Sequence, residues 1–192
     1  MHLIDEIVAV KRAEIEESKR KRTVADLRAM IRDTPKVRSF SSALGSGFGL
    51  IAEIKKRSPS VGDMRKENVE QALAIYTASP IVQAISVLTD SRFFGGSLDD
   101  LWRAKQDTTK PVLRKDFIFS DYQLYEARAY GADAVLLMAR ISKTKAMKAE
   151  LRQLFELANE LQLDVLFEAH SEDEIKMFPD SAKICGLNSR KF

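Results

Sequence analysis

The chain has 192 residues, 45% of them hydrophobic and 31% charged, with a formal net charge of +3 and a single cysteine. That is enough chain for one domain with a real core, and the charge is too mild to mark a nucleic-acid-binding protein. Cys185 alone excludes an internal disulfide framework, apolar runs such as Ala134 to Ala139 are too short to cross a bilayer, and residues 1–30 lack the apolar segment of a secretory signal, so a cytoplasmic protein with no nucleic-acid or membrane partner is expected.

Residues 1–48 read as a helical extension. Leu3, Ile7, Val10 and Ile15 recur at helical spacing. The run Lys19-Arg20-Lys21-Arg22 follows Glu14, Glu16 and Glu17, an order that suits the helix dipole. It therefore reads as the basic end of an amphipathic helix rather than a polyanion patch. Ala25 to Ile31 predicts a second short helix, and Pro35 with the small residues Ser41 to Gly49 leads into a first strand.

From residue 49 to 192 one pattern repeats: an apolar run, a polar loop, then a segment of helical period. The runs are Leu50–Ile54, Val82–Leu88, Pro111–Leu113, Ala134–Met138, Asp164–Phe167 and Ala182–Leu187. Several are apolar on both faces, as buried parallel strands are. Ser120 with Gln123 and Ser171 with Glu174 have capping-box spacing, and Ser97 with Asp100 is a looser version. Met147, Leu151, Leu154, Phe155, Ala158 and Leu161 form a helical stripe, and Gly131 stands where a helix from Ser120 to Tyr130 needs a left-handed residue. Six βα units of roughly 24 residues each suit a TIM (βα)8-type α/β barrel, here incomplete. A doubly wound sheet would carry a glycine-rich phosphate loop after its first strand; this strand instead ends Glu53-Ile54-Lys55-Lys56-Arg57-Ser58.

Barrel sites gather at the C-terminal ends of strands, and charged residues stand there. The runs end in Glu53 and Lys55, in Thr89 and Asp90, and in Arg114, Lys115 and Asp116. The later ones end in Arg140, in Glu168 and His170, and in Asn188 and Arg190. Glu53 and Lys55, two apart, share a face; so do Lys115 with Leu113 and Glu168 with Leu166. Two lysines and two carboxylates at one mouth suit metal-free proton transfer, with burial moving a Lys down or a Glu up toward neutrality. Any one such charge also has a plain explanation, since strands end at solvent. His170 reads as a loop residue without metal-ligand spacing, Cys185 and Trp102 as core, and Phe93-Phe94 as either a substrate platform or an anchor for the extension.

These residues also form recognisable words. Glu53-Ile54-Lys55-Lys56-Arg57-Ser58-Pro59-Ser60, Ser86-Val87-Leu88-Thr89-Asp90, Phe93-Phe94-Gly95-Gly96-Ser97 and Leu113-Arg114-Lys115-Asp116-Phe117 resemble indole-3-glycerol-phosphate synthase. Leu136-Leu137, Glu168-Ala169-His170 and Gly186-Leu187-Asn188-Ser189-Arg190 continue the resemblance in order. It implies a cofactor-free and metal-free enzyme of tryptophan biosynthesis. The family closes and decarboxylates 1-(2-carboxyphenylamino)-1-deoxyribulose 5-phosphate, releasing CO₂ and water. By resemblance, Lys115 is the general acid, Glu168 the acid/base of dehydration, and Glu53 and Asn188 hold and polarise the intermediate. Lys55 would bind the anionic substrate, Arg190 would stand near the phosphate, and Ser58, Phe93, Phe117 and Leu136 would surround the anthranilate ring.

The family continues past the Asn-x-Arg motif for two further βα units that grip the phosphate. The resemblance therefore implies a barrel stopped after its sixth strand, whose open edges invite self-association. A non-catalytic relative or binding module is the alternative expectation. A different phosphate-binding barrel enzyme of the pathway fits the Lys115-Asp116-Phe117 motif less well.

Overall fold

Three helices precede the first strand: α1 (Leu3–Lys21), α2 (Val24–Asp33) and α3 (Phe40–Leu44). The computed structural model describes residues 3–45, 47–58, 62–64, 68–141 and 145–189. α1 opens with Asp5 and Glu6 and closes with Lys19, Arg20 and Lys21. The exposed pairs Lys19–Glu16 and Lys21–Glu17 tie the turns of its basic end, so that run is a solvated helix terminus. The buried stripe of α1 is Ile4, Ile7, Lys11 and Ile15. A lysine thus takes the place in the stripe that periodicity assigns to Val10, which is half-buried.

β1 (Leu50–Ile54) is followed by a short antiparallel pair, β2 (Arg57–Ser58) and β3 (Gly62–Asp63), and by α4 (Asn68–Ala78). Then come β4 (Val82–Leu88), α5 (Ser91–Phe94), α6 (Leu98–Asp107), β5 (Val112–Lys115), α7 (Asp121–Ala129) and β6 (Ala134–Met138). A 3-10 turn (Ala139–Ile141), α8 (Lys145–Glu160), β7 (Asp164–Ala169), α9 (Glu172–Ile175) and β8 (Ile184–Leu187) follow. The strands of the main sheet lie in the order β1-β4-β5-β6-β7-β8, and every neighbouring pair is parallel. The sheet curls into a half-barrel, the incomplete barrel architecture that the alternation predicts.

All six predicted strands are present, three with the predicted bounds and three with shifted ends. β5 starts at Val112 and runs on to Lys115. Pro111 has no N–H to give a ladder, although its carbonyl still accepts from the Ile85 amide at 3.0 Å. The predicted caps form: Ser97 Oγ accepts from the Asp100 amide at 3.1 Å, and Ser171 Oγ from that of Glu174 at 3.3 Å. Gln123 Oε1 accepts from the Ser120 amide at 3.2 Å. Gly131 ends α7 with φ +83°, and a Cβ there would lie 2.7 Å from Lys105 Cγ, so conformation and space both demand glycine.

The two faces of the sheet bury different cores. Ile54, Ile85, Val87, Val112, Val135, Leu137, Val165 and Phe167 point outward to the helices, where Leu101, Leu124, Leu151, Leu154 and Ala158 meet them. The side chain of Met147, from the same α8 stripe, lies outside the described residues. Ala84, Leu113 and Ala134 point into the concave face, joined by Ile51, Leu166 and Ile184. Phe40 of α3, fully buried, closes the bottom of that face; burying a side chain of this size contributes about 2–3 kcal/mol.

The helices before β1 pack on the half-barrel. Ile15 and Leu27 lie against Tyr122 and Ala129 of α7. Asp133 accepts from the Arg38 amide at 2.6 Å and the Val112 amide at 2.8 Å, and faces the buried Lys105 ammonium at 2.5 Å.

Two core assignments made from the sequence are corrected. Cys185 is exposed: β8 is an outer strand of the described sheet, and alternate residues of it face solvent. Trp102 is 38% exposed. α6 buries Leu101, Ala104 and Lys105, and Trp102 stands about 100° around the helix from Leu101, at the margin of the packed arc.

Candidate active site

Strand parity and sheet curvature decide which strand-end charges meet. Glu53 of β1 lies level with Ser86 of β4, which lies level with Leu113 of β5. Leu113 belongs to the concave core, so Glu53 and Lys115, two residues beyond Leu113, face inward too. Although β4 separates their strands, the inward curl lets their side chains meet above it. Lys115 Nζ lies 3.2 Å from Glu53 Oε2, and Lys55 Nζ donates to Glu53 Oε1 at 3.0 Å. One carboxylate thus holds two ammonium groups, each oxygen taking one. Burial pushes the Glu53 carboxyl up, but Lys115 and Lys55 outweigh burial and hold its pKa below the usual value. The expected rise of a Glu toward neutrality does not occur here: Glu53 is an anion at neutral pH.

A second pair forms on the far side of β6. Asn188 Nδ2 donates to Glu168 Oε1 at 3.1 Å, and the Asn188 amide donates to the Ala169 carbonyl at 2.9 Å, which fixes the residue just beyond β8. His170, expected in a loop, follows β7 with its ring between two carboxylates, 4.0 Å from Glu168 and 3.5 Å from Glu174. The four charged candidates therefore form two groups, Glu53–Lys55–Lys115 and Glu168–Asn188.

Between the groups lies an apolar surface. Leu136 and Met138 of β6 cluster with Phe117, Ile141 and Ile7 of α1, and Phe93, Phe94 and Leu166 pack against them. Phe94 and Phe117 have ring centroids 6.1 Å apart. Phe93 and Phe94 thus share one apolar cluster with Ile7 and Val8 of the N-terminal helix. Gly96 allows the close turn after it, because a Cβ there would fall 1.9 Å from the Leu88 carbonyl oxygen. Ser58 is buried on β2. Arg190, with Pro59 and Ser60 of the first motif, lies outside the described residues.

Sequence reasoning missed the assembly behind Lys115. Its neighbours in sequence, Arg114 and Asp116, turn away from the concave face and are buried. Arg114 Nη2 lies 3.0 Å from Asp116 Oδ2 and 3.2 Å from Glu126 Oε2, and Thr89 Oγ1 donates to Asp116 Oδ2 at 2.7 Å. Lys11 of α1 reaches in, 2.8 Å from Asp90 Oδ2 and 3.3 Å from Asp116 Oδ1. Asp90 Oδ1 in turn accepts from the Phe93 amide at 2.7 Å, capping α5. Burial favours the neutral form of Asp116, but Arg114 and Lys11 override it and bring its pKa down to about 2. A lysine on an otherwise aliphatic stripe was the one available signal. Arg140 lies beside α1, in a pocket with Ile4, Val8 and Arg12 rather than with the concave charges.

Among the described residues no group of three or more His, Cys, Asp or Glu side chains is placed to hold a metal ion, and no helix is long and apolar enough to cross a membrane.

A parallel half-barrel with paired cations, an acid–amide pair and an aromatic-lined surface at the C-terminal ends of its strands has the anatomy of a βα-barrel enzyme. A family model described as indole-3-glycerol phosphate synthase matches residues 4–192. The chain is 40% identical over 190 residues to the indole-3-glycerol phosphate synthase of Bacteroides thetaiotaomicron, covering 98% of this chain and 71% of that one. It is 38% identical over 192 residues to that of Aquifex aeolicus and 41% over 192 residues to that of a Nocardioides species, each match covering 99% of this chain and 72% of the relative. The chain belongs to the indole-3-glycerol phosphate synthase family.

Proposed function

We propose that this chain performs its family's reaction as a carboxy-lyase of the cytoplasm: ring closure, decarboxylation and dehydration of 1-(2-carboxyphenylamino)-1-deoxyribulose 5-phosphate to indole-3-glycerol phosphate. The observation that carries the reading is the Glu53 carboxylate shared between Lys55 and Lys115 on the concave face. Ring closure needs a proton donor at the substrate carbonyl, and a carboxylate that accepts from a lysine ammonium fixes where that donor stands. Lys115 is the general acid in this reading and Glu53 its electrostatic partner. Lys55 supplies a cation for the substrate carboxylate.

Glu168 then moves the proton of the dehydration half, oriented by the amide of Asn188. Phe93, Phe117, Leu136 and the buried Ser58 receive the aromatic ring, and Arg190 supplies charge for the phosphate. The proposed substrate is thus an anionic phosphate ester, and no step calls on a cofactor. Self-association through β1 and β8, which have one strand neighbour each among the described residues, belongs to the same proposal.

Formation of the fluorescent indole product tests the reading directly. The purified chain should turn over substrate, and Lys115→Ala should abolish turnover while leaving the thermal transition in place. An inactive wild-type chain, or an active Lys115→Ala variant, would remove the assignment.

A further inference from the structure

Ser86 lies on β4 between the two strands that carry the proposed acid and its partner. Its register neighbours are Glu53 on one side and Leu113 on the other, and Leu88, two residues on, is level with Lys115. It therefore shares the concave face with Glu53 and Lys115 and lies in the strand over which their ion pair closes. Ser86 is 3% exposed, and its hydroxyl has no hydrogen-bond partner among the described residues.

Buried hydroxyls are normally satisfied, because leaving one unpaired forfeits its hydration with nothing in return. Smallness does not account for this one. Ala84, one inward-facing position earlier on the same strand, is fully buried in the concave core and fills that need without a polar atom. Nor do the neighbouring charges employ it. Glu53 already receives Lys55 on one oxygen and Lys115 on the other.

We propose that Ser86 is a further catalytic residue of the proposed reaction, its hydroxyl held free to donate to the substrate oxygen that Lys115 protonates. With Lys115 it would form a two-donor cradle for the charge that develops on that oxygen as the ring closes. The inference rests on the indole-forming reading of the site. It differs from a structural role in a measurable way: a hydroxyl that bonds only to substrate contributes nothing to the ligand-free fold.

Ser86→Ala, wild type and Lys115→Ala are to be compared for turnover and thermal unfolding in parallel. Ser86→Ala should melt at or above the wild-type temperature while kcat falls about tenfold to a hundredfold, the loss expected for one hydrogen bond to a developing charge. Wild-type turnover with an unchanged kcat in Ser86→Ala would overturn the Ser86 assignment alone. So would a lowered melting temperature, which would make the hydroxyl structural. Absence of turnover in the wild type would instead remove the reading on which it rests.

Discussion

Lys11 Nζ lies 2.8 Å from Asp90 Oδ2, with both side chains out of solvent. The same ammonium reaches Asp116 at 3.3 Å. One cation from the first helix therefore bridges the carboxylates that follow β4 and β5, directly behind Lys115 and beneath the cap of the Phe93 helix.

Lys11→Met keeps the bulk of the side chain and removes its charge, leaving two buried carboxylates short of a cation. Breaking a buried pair in this way costs about 3–5 kcal/mol. Urea unfolding should show a loss of that size, and a change under about 1 kcal/mol would mean that the carboxylates find other partners. Because Asp116 and Lys115 are adjacent in sequence, turnover should fall as well.

The titration of Asp116 has a definite sign. Its folded pKa, about 2, lies below the ordinary 3.8, so its contribution is complete above the unfolded value and disappears as pH falls through the folded one. The shift corresponds to roughly 2 kcal/mol at neutral pH. Carboxyl carbon NMR should find Asp116 still ionised at pH 3; a midpoint near 4 would contradict the network. Glu126 works against this trend, because burial raises its pKa despite Arg114. It disfavours the fold at neutral pH and ceases to do so as it is protonated.

Glu53→Gln removes the anion that Lys55 and Lys115 share. Turnover should fall about a hundredfold or more if the carboxylate holds the proton donor in place. Stability should change little, since both lysines and Glu53 are partly solvated. A steady-state assay alongside a melting curve separates the two effects, and an unaltered kcat would release Glu53 from its role.

Phe40 offers the opposite case. It plugs the concave face beside Ala84, Leu113 and Ala134, away from the strand ends that carry the charges. Phe40→Ala should cost about 3–5 kcal/mol of stability and leave KM unchanged below the transition. A raised KM in the folded variant would show that the plug also shapes the mouth.

Much of this was legible in the chain itself. Ser97, Ser171 and Gln123 act on amides within a few residues, and the strand runs are patterns a few residues long, so local sequence contains their causes. Parity alone placed Lys115 on the face of Leu113 and Glu53 on that of Lys55. What local pattern could not contain was partnership. Lys11 sits on an aliphatic stripe because Asp90 and Asp116, far along the chain, turn their carboxylates toward it. Trp102 and Cys185 have apolar neighbours in sequence, yet their exposure follows from what the tertiary structure sets against them.

Glu53 marks the division most clearly. A carboxylate and a lysine end the first strand on one face because a strand's two-residue period is local to the chain. That Lys115 closes on the same carboxylate, and that Glu53 stays an anion instead of rising toward neutrality, follows from the folded sheet. The reason is electrostatic: the pKa of a half-buried acid depends on the distance to its cations, and the second of those distances is set by the curl of a sheet.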